Sequence, residues 1–475
     1  MSDAGVTKAL ADFCAAHKFE DLPTDVVNET KRIILDTIAC GLGGHGVDKG
    51  KMAVELGRRT GGTAEASIIG TKGKVPASVA AFANGELMNA LDWCPVVPPA
   101  HVPPFVLPPV LALAEARGES GKNLIAAAAL GMEVTSRLSN ATGGLRSGKD
   151  GVPRRVWGLS SNSIGGTAGA ANLMGLDANK MLHALGISGY YAPLATHTKF
   201  NYTVEQGYAK YGPSGWIAQG VVTSALLAEI GYHGDTTFLE GHYGYYVQNG
   251  AESWNPEKLT AGLGRDWMFM NVGYKPWPTC GIFQSSANIF QELIAELGLT
   301  PDEIEEVEMK VETIGTLPAY VSTEPTDHVE AASSAPYILA VIAHRIKRGP
   351  GMQAQSVIDD PKIRAFMKKV RVSLNPRCEI LRHQDITVEG RPYPRHRPGY
   401  IAIKARGQVF ERTADFCDWI SIDPDYRASD EALAGKFRDN AEIVLSTAKT
   451  EKAIDLILNL DKLKNLALLF ETLSD

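Results

Sequence analysis

Cysteine is scarce in this chain of 475 residues, and the six present (Cys14, Cys40, Cys94, Cys280, Cys378 and Cys417) are far apart, with no C-x-x-C pair. That spacing argues against a disulfide framework, a zinc site or an iron–sulfur cluster and fits a reducing, cytoplasmic compartment. Positive charge is not concentrated anywhere. Lys and Arg total 47 against 54 acidic residues, the net charge is −7, and there is no basic tail, so nucleic acid is not an expected partner. No apolar run approaches the roughly 18 residues that cross a bilayer, and the N-terminal stretch lacks a basic segment followed by an apolar core, so neither membrane insertion nor secretion by that route is expected. The phosphate loop, the dinucleotide fingerprint, the nucleophile elbow and the zincin motif are also missing. Gly41, Gly43, Gly44 and Gly46 follow a helical pattern instead of opening one after a strand, which reads as a helix end. No cofactor and no metal are therefore expected, and the chemistry falls to side chains.

What the chain has in quantity is glycine and alanine in helical settings. Most of the 47 glycines lie at or before Gly264. Up to that point segment after segment reads as helix, beginning at LPTDVVNETKRIILDTIACGLGG, where Thr24 or Asp25 can cap and Val27, Ile34, Ile38 and Leu42 recur near helical spacing. Small residues on several faces suit buried helices in a thick bundle. From about Asp266 the period changes. VEMKVETI, KKVRVSLN, QDITVEG and YIAIKARGQVFERT alternate apolar and polar residues as strands do, between helical segments such as CGIFQSSANIFQELIAELG. The tail from Ser429 is helical again, with a Leu-rich stripe suited to packing back on the first part. The expected fold is mainly α: a large all-helical domain, residues 1–265 and 405–475, interrupted by a smaller α+β domain at 266–404.

Three segments place titratable groups beside residues that restrict the backbone. In NGELMNALDWCPVVPPAHVPPFVLPPV, Asn84, Asp92, Cys94 and His101 surround a stretch of prolines from Pro95 to Pro109 that should be non-helical through most of its length. A carboxylate held near an imidazole selects its tautomer and raises its basicity. In QGYAKYGPSGWIAQG, Lys210 enters a Gly-Pro turn before a helix, where it can meet an anion together with free helix-start N–H groups. In VGYKPWPTCGIF, Lys275 stands between Tyr274 and Pro276 at the domain boundary, and Thr279 can cap the helix that follows. Read alone, these patterns leave a capping Asp, a surface His and solvated lysines as open alternatives.

In order along the chain, ILDTIACGLGG, ANGELMNALDW with its His-Pro loop, LALAEARGESGKNLIAAAALGMEV, GAANLMGLDANKMLHALGISG, Lys210 to Trp216, KPWPTCG and SAPYILAVIA resemble the MmgE/PrpD family of 2-methylcitrate dehydratases, cis-aconitate decarboxylases and iminodisuccinate epimerases. The resemblance implies a helical domain built from both chain ends, an inserted α+β lid, a cleft between them, a homodimer, and no metal or organic cofactor. It also implies functional positions at Asp92, His101, Lys210 and Lys275, with Tyr320 the best match for a tyrosine of the lid. There are departures. Asp92 is followed by Trp93, Cys94 and Pro95 instead of further acids, RRVWGLSSNSIGG carries no histidine, and Pro213 stands where a histidine is common. Two proton donors are thereby missing.

The expected activity is proton abstraction α to a carboxylate of a small di- or tricarboxylate, with dehydration or decarboxylation. His101 would move the proton, Asp92 would orient it, Lys210 and Lys275 would hold the substrate, and Tyr320 would donate a hydrogen bond or proton. An epimerase needs a second base, for which Cys94, also a candidate substrate contact, and Lys210 stand as possibilities. A silent carboxylate-binding dimer is the third reading. The arginines of RHQDITVEGRPYPRHRPG (Arg391, Arg395, Arg397) can close over an anion or simply rim a hairpin.

Overall fold

The computed structural model describes residues 4–143, 158–192, 197–209, 214–251, 253–391 and 393–474. Among these the chain is mainly α. The early glycine cluster ends a helix as expected: Thr24–Gly43 runs into a 3-10 turn at Gly44–Gly46. The helix starts directly after Pro23, so neither Thr24 nor Asp25 is its N-cap residue, although Asp25 Oδ1 accepts the Val26 N–H of the first turn at 3.0 Å. Gly43 is required by packing, since a Cβ there would lie 1.9 Å from the Asn440 side-chain oxygen. Asn440 belongs to the helix Asp430–Ala441, so the C-terminal tail lies against the N-terminal part. One buried apolar cluster accordingly joins Ile34, Ile38, Phe105 and Val221 to Phe437, Leu456, Leu460 and Phe470.

A second cluster is formed by residues between Trp277 and Ala405. Two short strands earlier in the chain, β1 Ala66–Ser67 and β2 Lys74–Val75, pair antiparallel, and the sheet of this second cluster has the order β4-β3-β5-β6, with β3 Ile304–Val311, β4 Val370–Leu374, β5 Gly399–Ala405 and β6 Gln408–Ala414. β3 is parallel to β4 and antiparallel to β5, so Met309 sits between Val372 and Ile401. Val307, Met309 and Val311 point into the cluster, and the helix Gln284–Glu296 covers that face. β6 pairs with β5 along its length, so the sheet continues past residue 404. Among the described residues no helix is long and apolar enough to cross a membrane.

Two sequence expectations are corrected here. QDITVEG is not a strand: Pro376–His383 is α-helical and continues as a π-helical turn over Gln384–Val388. The alternation had no covered face to serve, for Val388 is 71% exposed, and buried Asp385 uses the turn to accept N–H groups from the next loop. The proline stretch is also more helical than expected. A helix begins at Pro103, where missing N–H groups cost nothing in the first turn, and runs to Arg117 with Pro108 and Pro109 inside it.

Candidate active site

The non-helical part of the proline segment, Asp92 to Val102, is fixed by its backbone. Val96 exchanges hydrogen bonds with Gly273 at 2.8 and 3.0 Å, Val97 N–H donates to Ala100 O at 3.0 Å, and Ser136 Oγ donates to Pro98 O at 2.6 Å. Asp92 has a positive φ of 50°, a conformation that non-glycine residues adopt sparingly and that surrounding contacts must hold in place. The pairing with Gly273 brings Lys275 alongside. Its Nζ donates to Asp92 Oδ1 at 2.8 Å and to Asp92 O at 2.6 Å. The same Oδ1 lies 3.7 Å from His101 Nε2, too long for a hydrogen bond but close enough to stabilise an imidazolium. Asp92, His101 and Lys275 therefore meet around one carboxylate.

Burial by itself pulls the Lys275 ammonium down, and Asp92 overrides it, so the group titrates above its ordinary value. Lysine carries three donors; two go to Asp92, leaving one N–H for a ligand. Cys94 lies behind the imidazole, its Sγ 3.3 Å from His101 Nδ1, and is wholly buried. Burial pushes its thiol up to about 12, so it is neutral at physiological pH. Cys94 is not among the residues that line the cleft beside His101 and Lys275.

Beneath this loop lies a second buried pair that the sequence did not reveal. Lys436 Nζ is 2.8 Å from Asp36 Oδ1, donates to Trp93 O at 2.7 Å, and sits 4.9 Å from the centre of the Trp93 ring. The Trp93 indole N–H in turn donates to Lys275 O at 2.8 Å. Both lysine and aspartate are fully buried, and burial holds the Asp36 carboxyl above its usual range against the pull of Lys436. This pair supports the backbone on both sides of the Asp92–Lys275 contact. Asp36 falls within the ILDTIACGLGG block, but nothing around it in the sequence points to Lys436.

A cleft partly open to solvent is lined by His101 and Lys275 on one side and by Tyr320, Arg382, His396 and Arg397 from the sheet-bearing part. The buried Tyr320 hydroxyl donates to Asn201 Oδ1 at 2.8 Å. Of the three loop arginines, Arg391 and Arg395 are committed to Glu389 and Asp423. Arg397 instead rests over the Tyr393 ring, 4.6 Å from its centre, and its buried Nε and Nη2 have no hydrogen-bond partner among the described residues. These guanidinium N–H groups are able to donate to an anionic ligand in the cleft.

The remaining expectations are placed as follows. Lys210 and Pro213, like most of RRVWG, lie outside the described residues. At the start of the helix Ser214–Glu229, the Glu86 carboxylate accepts the Gly215 N–H at 2.7 Å. Thr279 does not cap; its hydroxyl donates to Ala332 O at 2.7 Å. Asn84 is structural, bonded to the backbone of Ser67 and Ile69. Among the described residues no group of three or more His, Cys, Asp or Glu is arranged to hold a metal ion.

Comparison with known proteins places this geometry in context. The family model described as the MmgE/PrpD N-terminal domain matches residues 8–255, and that of the MmgE/PrpD C-terminal domain matches residues 277–462. A cis-aconitate decarboxylase of Homo sapiens is 25% identical over 495 residues, covering 98% of this chain and 93% of that protein. A cis-aconitate decarboxylase of Aspergillus terreus is 27% identical over 305 residues, covering 61% of this chain and 60% of that protein.

Proposed function

Because the chain belongs to the MmgE/PrpD family, we propose that it is a lyase acting on a small di- or tricarboxylate, transferring a proton at the carbon next to a carboxylate and expelling carbon dioxide or a β-hydroxyl. The observation that carries this reading is the Asp92 carboxylate shared between Lys275 and His101 at the edge of a cationic cleft. Negative charge builds on the substrate carboxylate as its neighbouring carbon loses a proton or carbon dioxide, and fixed cations next to those oxygens lower the barrier most. The remaining N–H of Lys275 and the unused N–H groups of Arg397 supply such cations. His101 moves the proton, with the Asp92 carboxylate 3.7 Å from its Nε2. Tyr320, whose hydroxyl proton goes to Asn201 Oδ1, accepts from a substrate hydroxyl. Lys210 is proposed as a further cation for the substrate.

The relatives named above are decarboxylases of cis-aconitate, which supports carbon dioxide as a leaving group and an unsaturated tricarboxylate as the first substrate to test. Two-base epimerisation draws no support from Cys94, whose neutral thiol is shut away behind His101. The test is incubation in deuterated water with cis-aconitate, citrate, 2-methylcitrate and aspartate-derived diacids. Release of carbon dioxide or growth of enoate absorbance is the expected result. Exchange at the α-carbon without net product would mean an epimerase, and no change with any of them a silent carboxylate binder.

A further inference from the structure

The cleft holds a second imidazole set against a buried carboxylate, which the mechanism above leaves unused. His396 lines the cleft, and its Nδ1 lies 2.9 Å from Asp385 Oδ1. Asp385 is wholly buried, and its other oxygen accepts the backbone N–H groups of Arg395 and His396 at 2.8 and 2.9 Å. With three donors converging on one carboxylate, Nδ1 carries the proton toward Asp385, and Nε2 is the nitrogen that can act in the cleft. The segment is held from several directions. Arg397 N–H donates to Asp415 O at 2.8 Å, Ser285 Oγ donates to Arg397 O at 2.5 Å, and the Phe416 ring lies 4.8 Å from the imidazole. The π-helical turn that positions Asp385 is an irregularity found often at functional sites. A brace for the loop would need only the backbone contacts that Asp385 already makes.

We propose that His396 is a second proton-transfer residue, acting through Nε2 on the leaving oxygen of a β-hydroxy di- or tricarboxylate. This rests on the lyase reading and deepens it. The C–H bond next to the carboxylate breaks, its proton goes to His101, and its electron pair becomes the new C=C bond. The C–O bond breaks with its pair on oxygen, which takes the Nε2 proton of the His396 imidazolium and departs as water. The Nδ1 contact to Asp385 leaves the neutral ring with its proton on Nδ1. His101 then returns its proton to solvent and His396 recovers one. In this way the sheet-bearing part supplies a donor in place of the histidines that the helical part lacks.

The test uses the full-length enzyme with citrate and 2-methylcitrate in deuterated water, following α-proton exchange by NMR and elimination by enoate absorbance. General acid catalysis is worth about 100-fold or more, so His396→Gln should lose elimination by at least that factor while α-exchange stays within a few-fold of wild type. Asp385→Asn should shift the same way, and His101→Ala should lose both signals. Elimination within threefold of wild type in His396→Gln, or a parallel loss of exchange and elimination in a folded variant, overturns the assignment. A wild-type enzyme that decarboxylates cis-aconitate but never eliminates from the hydroxy acids overturns it alone. One that does neither, and exchanges no α-proton, overturns the lyase reading as well.

Discussion

Replacing Lys436 by Met removes one half of a wholly buried ion pair. The variant leaves Asp36 without its contacts at 2.8 and 3.0 Å, Trp93 O without its donor at 2.7 Å, and a carboxyl with no solvent to turn to. Breaking a buried pair from one side costs about 3–5 kcal/mol, because the partner is stranded as an uncompensated charge. Burial already holds Asp36 above its usual range, and loss of the lysine raises it further above the unfolded-chain value. A carboxyl whose native pKa exceeds its unfolded pKa is destabilising above the native value, and the penalty fades as pH falls through that value toward the unfolded one. The deficit against wild type should therefore be largest at neutral pH and shrink on acidification. The assay is urea denaturation at several pH values, with Asp36→Leu/Lys436→Met as the companion. Removing both charges should recover most of the lost stability, since a packed apolar pair can match a buried salt bridge. A single variant within about 1 kcal/mol of wild type, or a double variant worse than the single, would refute the reasoning. Turnover of the recovered double variant then isolates how far Lys436 matters through the Trp93 and Lys275 carbonyls.

His101→Ala should reduce turnover by roughly 100-fold, about 3 kcal/mol of barrier, with an unchanged circular dichroism spectrum; near-normal rates would reject His101 as the proton carrier. Lys275→Ala should be as damaging to turnover and also lower the urea midpoint, because Asp92 is 2% exposed and loses its counter-charge. Cys94 should resist iodoacetamide at pH 8 in the folded enzyme, since its thiol titrates near 12, and fast labelling would contradict its burial. Gly165→Ala places a Cβ 2.0 Å from Thr135 Oγ1, where two helices meet, and should cost at least about 1–3 kcal/mol in the same denaturation assay. The helices Ala178–Tyr191 and Ser214–Glu229 carry Tyr190, Tyr191 and Trp216, all more than 60% exposed. If that face seats the expected second copy, Trp216→Glu should halve the mass seen by light scattering, and a wild-type monomer would dismiss it.

Local pattern revealed what local physics determines. The glycine-rich helix end at Gly41–Gly46, the alternation of β3 and β5, and the rigid loop carrying Asp92 and His101 all follow from residues within a few positions of one another. The helical reading of the tail was equally legible, because its apolar spacing survives without knowing what it packs against. The errors fall where a distant partner decides. QDITVEG alternates well enough for a strand, yet the donors that claim Asp385 lie ten residues on, and they favour a helical turn. Thr279 has the composition of a cap, but Ala332 O takes its hydroxyl. Lys436 and Asp36 are 400 positions apart, and each alone looks like an ordinary charged residue on a helix. The same holds within the loop from Arg391 to Arg397. Three arginines are indistinguishable by spacing, and only the positions of Glu389, Asp423 and Tyr393 decide that two are neutralised while the third keeps its guanidinium for the cleft. Candidate chemistry in this chain is therefore marked by local sequence where a loop is stiff, and by the absence of a partner where a cation is buried.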